Sequence, residues 1–133
     1  MIQRIKIGTG SCGIAAGAGE VLEFFQENVK DIDIVEVGCI GHCYAEPLVE
    51  VETDKGSLIY RGVKPKKDFL EKILNLEEDS LLEMEEGRTS REQIKVTKLA
   101  GRISPTSMEE YEENGGYEAL KKALNMKASE VVD

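Results

Sequence analysis

The two cysteines that stand closest together are the residues of this chain best suited to chemistry. Cys39 and Cys43 are separated by three residues in a glycine-containing stretch, and His42, the only histidine, precedes Cys43. The third and last cysteine, Cys12, lies in a second glycine-rich stretch, residues 8–13. Thiols in such groups hold iron or zinc, or take part in thiol chemistry.

Both cysteine stretches follow an apolar run that predicts a β-strand. Residues 2–7 alternate isoleucine with charged or polar neighbours, and residues 32–37 are rich in isoleucine and valine. Because loops that follow neighbouring strands can meet at one end of a sheet, we expect the three thiols to lie at one end of the fold.

The remaining elements of the first half predict a mixed α/β fold. Residues 48–52 and 57–61 form a predicted antiparallel hairpin around the turn 54–56. Helices are expected over residues 14–30 and from Pro65 onward, each with an apolar stripe. This βαβ-ββα order favours a thioredoxin-like two-layer sandwich with a mixed four-stranded sheet and two helices. A ferredoxin-like split βαβ arrangement is the main rival.

Beyond residue 75 the chain becomes acidic and then predicts only short elements. Residues 77–86 carry six acids and no base, which indicates a solvated linker. A short strand is expected over residues 93–99. A helix is expected with Ser104 as N-cap and Pro105 at its first position.

Two further short helices are expected over residues 117–124 and from residue 129. We therefore predict a thioredoxin-like domain over residues 1–75, an acidic linker with a short strand over 76–100, and a small helical extension over 101–133.

Composition excludes several classes of function. The formal charge of −9 and the pI near 4.8 argue against a nucleic-acid partner, which needs a basic surface. No apolar run approaches the roughly 20 residues that span a bilayer. The first residues carry no signal segment, so a cytoplasmic location is expected. Structural disulfides are uncommon there, and three cysteines is an odd number.

The two cysteine stretches together resemble a known family. Residues 10–18, with Cys12, and residues 38–47, with Cys39 and Cys43, resemble the thioredoxin-like 2Fe–2S ferredoxins. These include domains of the NADH-binding flavoprotein subunits of respiratory complex I and its hydrogenase relatives. The exact variant is most similar to a small subunit of NADP-reducing iron-only hydrogenases. The resemblance covers about residues 2–75, and thioredoxin-like folds often carry a cis-proline where Pro47 stands.

A separate resemblance begins after the acidic stretch. Residues 101–105, 108–111 and 115–120 look like the opening of the flavoprotein subunit itself. In that family the opening precedes the segment that binds FMN and NADH, and this sequence ends before such a segment. No flavin or NAD site is therefore expected in this chain.

The first resemblance implies a 2Fe–2S cluster held by Cys12, Cys39 and Cys43, with one ligand missing. The family's fourth cysteine would precede Cys12, where residues 6–8 are Lys, Ile and Gly. Candidates for the fourth ligand are His42, Ser11, a carboxylate, solvent or a partner subunit. The other possibility is that the domain has lost its cluster and kept its fold.

The resemblance implies an electron-transfer component of an NAD(P)H dehydrogenase or hydrogenase complex, with the flavoprotein and other subunits as partners. The alternative is a cluster-free docking module of such a complex. No catalytic residues are predicted, and whether the chain is an enzyme stays open. A thiol–disulfide enzyme is disfavoured by the Cys-x-x-x-Cys spacing. A zinc site is disfavoured because the adjacent His42 and Cys43 would have to share one tetrahedral ion.

Overall fold

Four strands form one mixed sheet in the amino-terminal part of the protein. The computed structural model describes residues 1–82 and 98–132. The strands lie in the order β2-β1-β3-β4. Their bounds are β1 Ile2–Gly8, β2 Asp33–Val37, β3 Val49–Thr53 and β4 Gly56–Tyr60.

The strand directions are those of a thioredoxin-like fold. Strand β1 runs parallel to β2 and antiparallel to β3, and β3 is antiparallel to β4. The predicted α/β sandwich with a mixed four-stranded sheet is therefore confirmed. The split βαβ rival is wrong, because β1 and β2 are hydrogen-bonded neighbours with no strand between them.

The core lies between one face of the sheet and two helices, α2 (Ala18–Asn28) and α3 (Lys67–Leu74). Alternate strand residues point to this face, since side chains along a strand alternate between the two faces. The opposite face carries both polar and apolar residues: Lys6 lies between the carboxylates of Glu50 and Glu52, and Ile59 packs against a second, smaller apolar cluster. The largest fully buried side chains of the core are Tyr60, Phe25, Ile5, Ile7, Ile73, Val21, Val49, Val51 and Val63.

The first helical region differs from the single helix predicted over residues 14–30. It is divided into α1 (Ser11–Ala15) and α2, which begins at Ala18. The break is at Gly17, whose φ of +97° is a left-handed conformation that glycine adopts readily. The division places Cys12 on its own short helix directly after β1.

Two predicted helix starts are also wrong. Helix α3 begins at Lys67, so Pro65 lies before the helix instead of in its first turn. In the extension, the N-cap is Ser107, whose Oγ accepts a hydrogen bond from Glu110 N–H at 3.1 Å. Ser104 instead donates its backbone N–H to the Glu110 carboxylate at 2.7 Å. The capping oxygen therefore lies three residues later than the sequence indicated.

Other predicted elements are confirmed. The β3–β4 hairpin turns at Asp54 and Lys55, as expected. After α3 the chain returns along β4, which was not predicted, and Leu82 N–H donates to Ile59 O at 2.7 Å. The predicted strand over residues 93–99 lies largely outside the described residues. No helix in the described ranges is long and apolar enough to cross a membrane. The extension contains three short helices, α4 Met108–Glu113, α5 Glu118–Ala123 and α6 Ala128–Val132.

Candidate thiol and metal site

Cys39 and Cys43 lie side by side in the loop after β2. Their Sγ atoms are 3.7 Å apart. Gly41 between them has a φ of +93°, which turns the loop back on itself, and its N–H donates to Cys39 Sγ at 3.2 Å. Cys43 then opens one turn of 3₁₀-helix, Cys43–Ala45. The glycine and the short helix together bring the two thiols to the same side of the loop.

The separation of these two sulfurs suits one tetrahedral metal ion. Metal–thiolate bonds of about 2.3 Å at a tetrahedral angle place two sulfurs about 3.8 Å apart. Cys39 and Cys43 meet this condition without rearrangement. They can therefore supply one half of a site that needs four ligands.

The loop that carries Cys12 lies against the loop that carries Cys39. Thr9 N–H donates to Val37 O at 2.9 Å, and a Cβ built on Gly10 would lie 3.0 Å from Cys39 Cβ. The expectation that the two loops meet at one end of the sheet is thus confirmed. Gly10 allows this approach because it has no side chain.

Only two of the three thiols are brought into contact. Cys12 is exposed on α1, and no sulfur contact joins it to Cys39 or Cys43 in the described ranges. Across residues 1–82 and 98–132, no group of three His, Cys, Asp or Glu side chains is arranged to hold a metal ion. The His42 ring instead packs edge-on against Tyr44, with centroids 6.0 Å apart. The ligand set Cys12, Cys39 and Cys43, with His42 as a fourth member, stays a prediction.

The two thiols of the pair differ in their surroundings. Cys43 is exposed, whereas Cys39 is partly buried. The hydrogen bond from Gly41 N–H lowers the pKa of the Cys39 thiol, but desolvation, the adjacent Cys43 thiol and the charge of Glu46 act in the opposite direction and raise that pKa above its ordinary value. Cys43 is thus the more accessible thiol.

Glu46 is a site residue that the sequence analysis missed. Its Oε2 accepts a hydrogen bond from Leu48 N–H at 2.9 Å, and its buried Oε1 has no hydrogen-bond partner. Both carboxylate oxygens lie near the start of the loop that carries Cys12, each 3.6 Å from a Cβ built on Gly8. Its peptide bond to Pro47 is cis. The available signal was one acid within an apolar stretch that links the cysteine loop to β3.

Desolvation raises the pKa of the Glu46 carboxyl, although its hydrogen bond from Leu48 N–H opposes the shift. A carboxyl whose pKa is raised by folding contributes stability below its ordinary value of 4.5, and this contribution is lost as the pH rises through the folded-state pKa. Glu46→Gln should therefore be about as stable as the unchanged protein in acid and more stable at neutral pH. Urea unfolding across this pH range measures the difference.

The control for Glu46→Gln is Glu23→Gln, which removes one negative charge from the exposed face of α2. It should not reproduce the gain in stability at neutral pH. An equal gain in both variants would mean that general charge repulsion, and not burial of Glu46, is responsible.

The start of the helical extension lies against the cysteine loop. Gly38 N–H donates to Ile103 O at 3.0 Å, and a Cβ built on Gly101 would lie 2.3 Å from Ile40 Cγ2. Gly101 itself is buried. This contact was not predicted, because more than 60 residues separate the partners. Residues 101–103 therefore form part of the surroundings of Cys39.

Comparison with known proteins identifies one curated relative. The chain is 31% identical over 65 residues to the NADP-reducing hydrogenase subunit HndB of Solidesulfovibrio fructosivorans. The match confirms the resemblance to a hydrogenase subunit. It covers 44% of this chain and 52% of the relative, so the chain spans about half the length of the curated protein that it matches. No protein-family model matches the chain.

Among solved structures, the chain is similar to a thioredoxin-like [2Fe-2S] ferredoxin from Aquifex aeolicus. The identity is 20%, the TM-score is 0.49, and the likeness covers 62% of this chain and 99% of the ferredoxin.

Proposed function

We propose that this chain is a non-catalytic component of a hydrogenase-type electron-transfer complex. In this proposal its thioredoxin-like domain has an incomplete cluster site and its helical extension docks on a partner subunit. The identity to a subunit of an NADP-reducing hydrogenase supports membership of such a complex. The proposed division keeps the thioredoxin-like domain over residues 1–75, the linker over 76–100 and the extension over 101–133.

The observation that carries the docking role is the apolar surface of the extension. Seven of the ten exposed large apolar side chains in residues 1–82 and 98–132 lie between positions 108 and 132. Concentrations of exposed apolar side chains of this kind mark interaction sites. The seven exposed apolar side chains of the extension are Met108, Tyr111, Tyr117, Leu120, Leu124, Val131 and Val132.

We propose an NADH-binding flavoprotein as the partner, because residues 101–120 resemble the opening of such a subunit. The charge of −9 would favour a basic docking patch on that partner and would speed its association. Apolar contacts from the extension would then hold the complex together.

Leu120 in α5 and Leu124, which directly follows that helix, offer a direct test of this role. Leu120 and Leu124 are 51% and 76% exposed and lie one helical turn apart. The double substitution Leu120→Glu/Leu124→Glu should lower recovery of a co-purifying NAD(P)H-oxidising flavoprotein about tenfold or more, because it places two charges in an apolar contact. The thermal midpoint should hardly change, since both side chains are exposed in the chain alone.

The matched control is Gln3→Glu/Gln26→Glu, which adds the same two charges at exposed positions outside the extension. It should leave recovery of the flavoprotein unchanged. Equal loss in both variants would indicate an effect of net charge, and unchanged recovery in both would contradict docking through Leu120 and Leu124.

A second candidate function is electron transfer through a cluster completed in the complex. It is favoured by the 3.7 Å separation of the Cys39 and Cys43 sulfurs, which suits one iron. A 2Fe–2S cluster needs four ligands, and the chain has three cysteines of which two are in contact. The remaining ligands would then come from Cys12 after a rearrangement, from a non-cysteine group or from the partner.

Iron content separates the two functions. The chain purified alone and without air should be colourless and hold far less than the roughly two irons of a 2Fe–2S cluster. A brown sample with about two irons per chain would contradict the cluster-free proposal and favour the electron carrier. The same assay on the assembled complex, with and without Cys43→Ser, would reveal a cluster shared with a partner.

A further inference from the structure

We propose that Cys39 and Cys43 form a reversible dithiol–disulfide couple. The inference deepens the proposed function, since it rests on the absence of a resident cluster on these thiols. It would make the loop that contacts the helical extension sensitive to the redox state of its surroundings.

The geometry of the pair brings the two sulfurs close to bonding distance. Their separation of 3.7 Å must fall to about 2.05 Å in a disulfide, a closure of less than 2 Å. Cys43 lies on the surface, and Cys39 is partly exposed. Side-chain rotation in a surface loop can supply much of a movement of this size, and both thiols are free.

The loop between them can adapt to closure. Gly41 has open space around the position that a Cβ would occupy, and its positive φ holds the two cysteines on the same side. Its N–H donates a hydrogen bond to Cys39 Sγ, so this sulfur already has a polar partner that can stabilise its thiolate. Cys12 has no corresponding sulfur contact within residues 1–82 and 98–132.

The reaction exchanges the two thiols with a low-molecular-weight disulfide such as oxidised glutathione. The exposed Cys43 thiolate attacks one sulfur of that disulfide and releases one glutathione thiolate, which takes up the proton that Cys43 lost. Cys39 thiolate then attacks the Cys43 sulfur of the mixed disulfide. One protein disulfide forms, a second glutathione is released with the proton from Cys39, and two electrons pass from the protein to the small disulfide.

Trypsin offers a clean readout on the full chain. Lys6, Lys30 and Lys55 bound two fragments, residues 7–30 with Cys12 alone and residues 31–55 with both Cys39 and Cys43. The protein is equilibrated without metal in a buffer of reduced and oxidised glutathione, trapped with iodoacetamide and digested. The expected product is fragment 31–55 without label or glutathione and lighter by two hydrogens.

Single substitutions test whether the disulfide joins Cys39 to Cys43. In Cys43→Ser, Cys39 can form only a mixed disulfide, and we expect about tenfold more glutathione adduct on Cys39 than in the unchanged protein, because intramolecular closure normally removes the adduct. Cys12→Ser is the matched control, and its fragment 31–55 should close as in the unchanged protein. Stable adducts on both Cys39 and Cys43, or a disulfide that joins fragment 7–30 to fragment 31–55, would overturn the inference.

Iron analysis of the same preparation separates this inference from the proposed function. If the anaerobic chain carries about two irons, the cluster-free proposal is wrong and the couple loses its basis. If the chain is iron-free and fragment 31–55 still forms no internal disulfide, only the proposal of the disulfide couple is wrong.

Discussion

Gly13→Ala should destabilise the protein by about 3 kcal/mol, near the upper end for a side chain forced into a filled space. A Cβ on Gly13 would lie 2.2 Å from Gly8 O and 3.3 Å from Glu46 Oε2. The first of these atoms belongs to the backbone of β1, so a side-chain rotation cannot relieve the overlap. Helix α1, which carries Cys12, would have to move away from the end of the sheet.

The measurement is urea unfolding of Gly13→Ala beside Gly19→Ala. Gly19 lies within α2, and a Cβ there would meet only Ile14 Cδ1 at 4.0 Å. Alanine favours a helix over glycine by up to about 1 kcal/mol, so Gly19→Ala should be neutral or stabilising. A Gly13→Ala variant as stable as Gly19→Ala would contradict the close packing of the first cysteine loop.

Gly101→Ala should detach the start of the extension from the cysteine loop, at a cost of about 1–3 kcal/mol of local strain for a non-glycine residue in this conformation. Gly101 has a φ of +69°, and its added Cβ would lie 2.3 Å from Ile40 Cγ2. The hydrogen bond from Gly38 N–H to Ile103 O would be lost with the contact. Because Cys39 lies between Gly38 and Ile40, its alkylation by iodoacetamide should become faster.

The control is Gly115→Ala, which introduces comparable left-handed strain away from the loop. Gly115 has a φ of +86°, and a Cβ there would approach only the Glu118 side chain, at 3.6 Å. In the Gly115→Ala variant, iodoacetamide should alkylate Cys39 at the same rate as in the unchanged protein. Faster alkylation in both variants would mean that the extension acts through general destabilisation and not through the contact at Ile40.

The strands and their hairpin could be predicted because they depend on local pattern. Apolar alternation marks β3 and the second half of β1, and Asp54 and Lys55 before Gly56 mark the turn. The register shift between Ile2 and Arg4 in β1 does not follow from this pattern. The break at Gly17 was missed, because a glycine inside an apolar helical pattern does not reveal the sign of its φ.

The candidate site was predictable only in part, for a physical reason. Cys39 and Cys43 are near in sequence, so a turn between them was enough to place their sulfurs together. The desolvation of Glu46 and the approach of Gly101 to Ile40 depend on segments that meet only after folding. Sequence spacing carries little information about such distant pairs, and the same limit applies to the position of Cys12 relative to the pair.

The strand order makes β2 and β4 the two edge strands of the sheet, and these edges differ in what covers them. The β4 border is lined by residues 80–82, through Ser80 O and Leu82 N–H. The β2 border is not lined in this way by the described residues, but it carries the exposed acids Asp33 and Glu36. Pairing of two copies of the chain through their β2 strands would bring these like charges together. Strand addition is therefore opposed by charge at β2 and by residues 80–82 at β4.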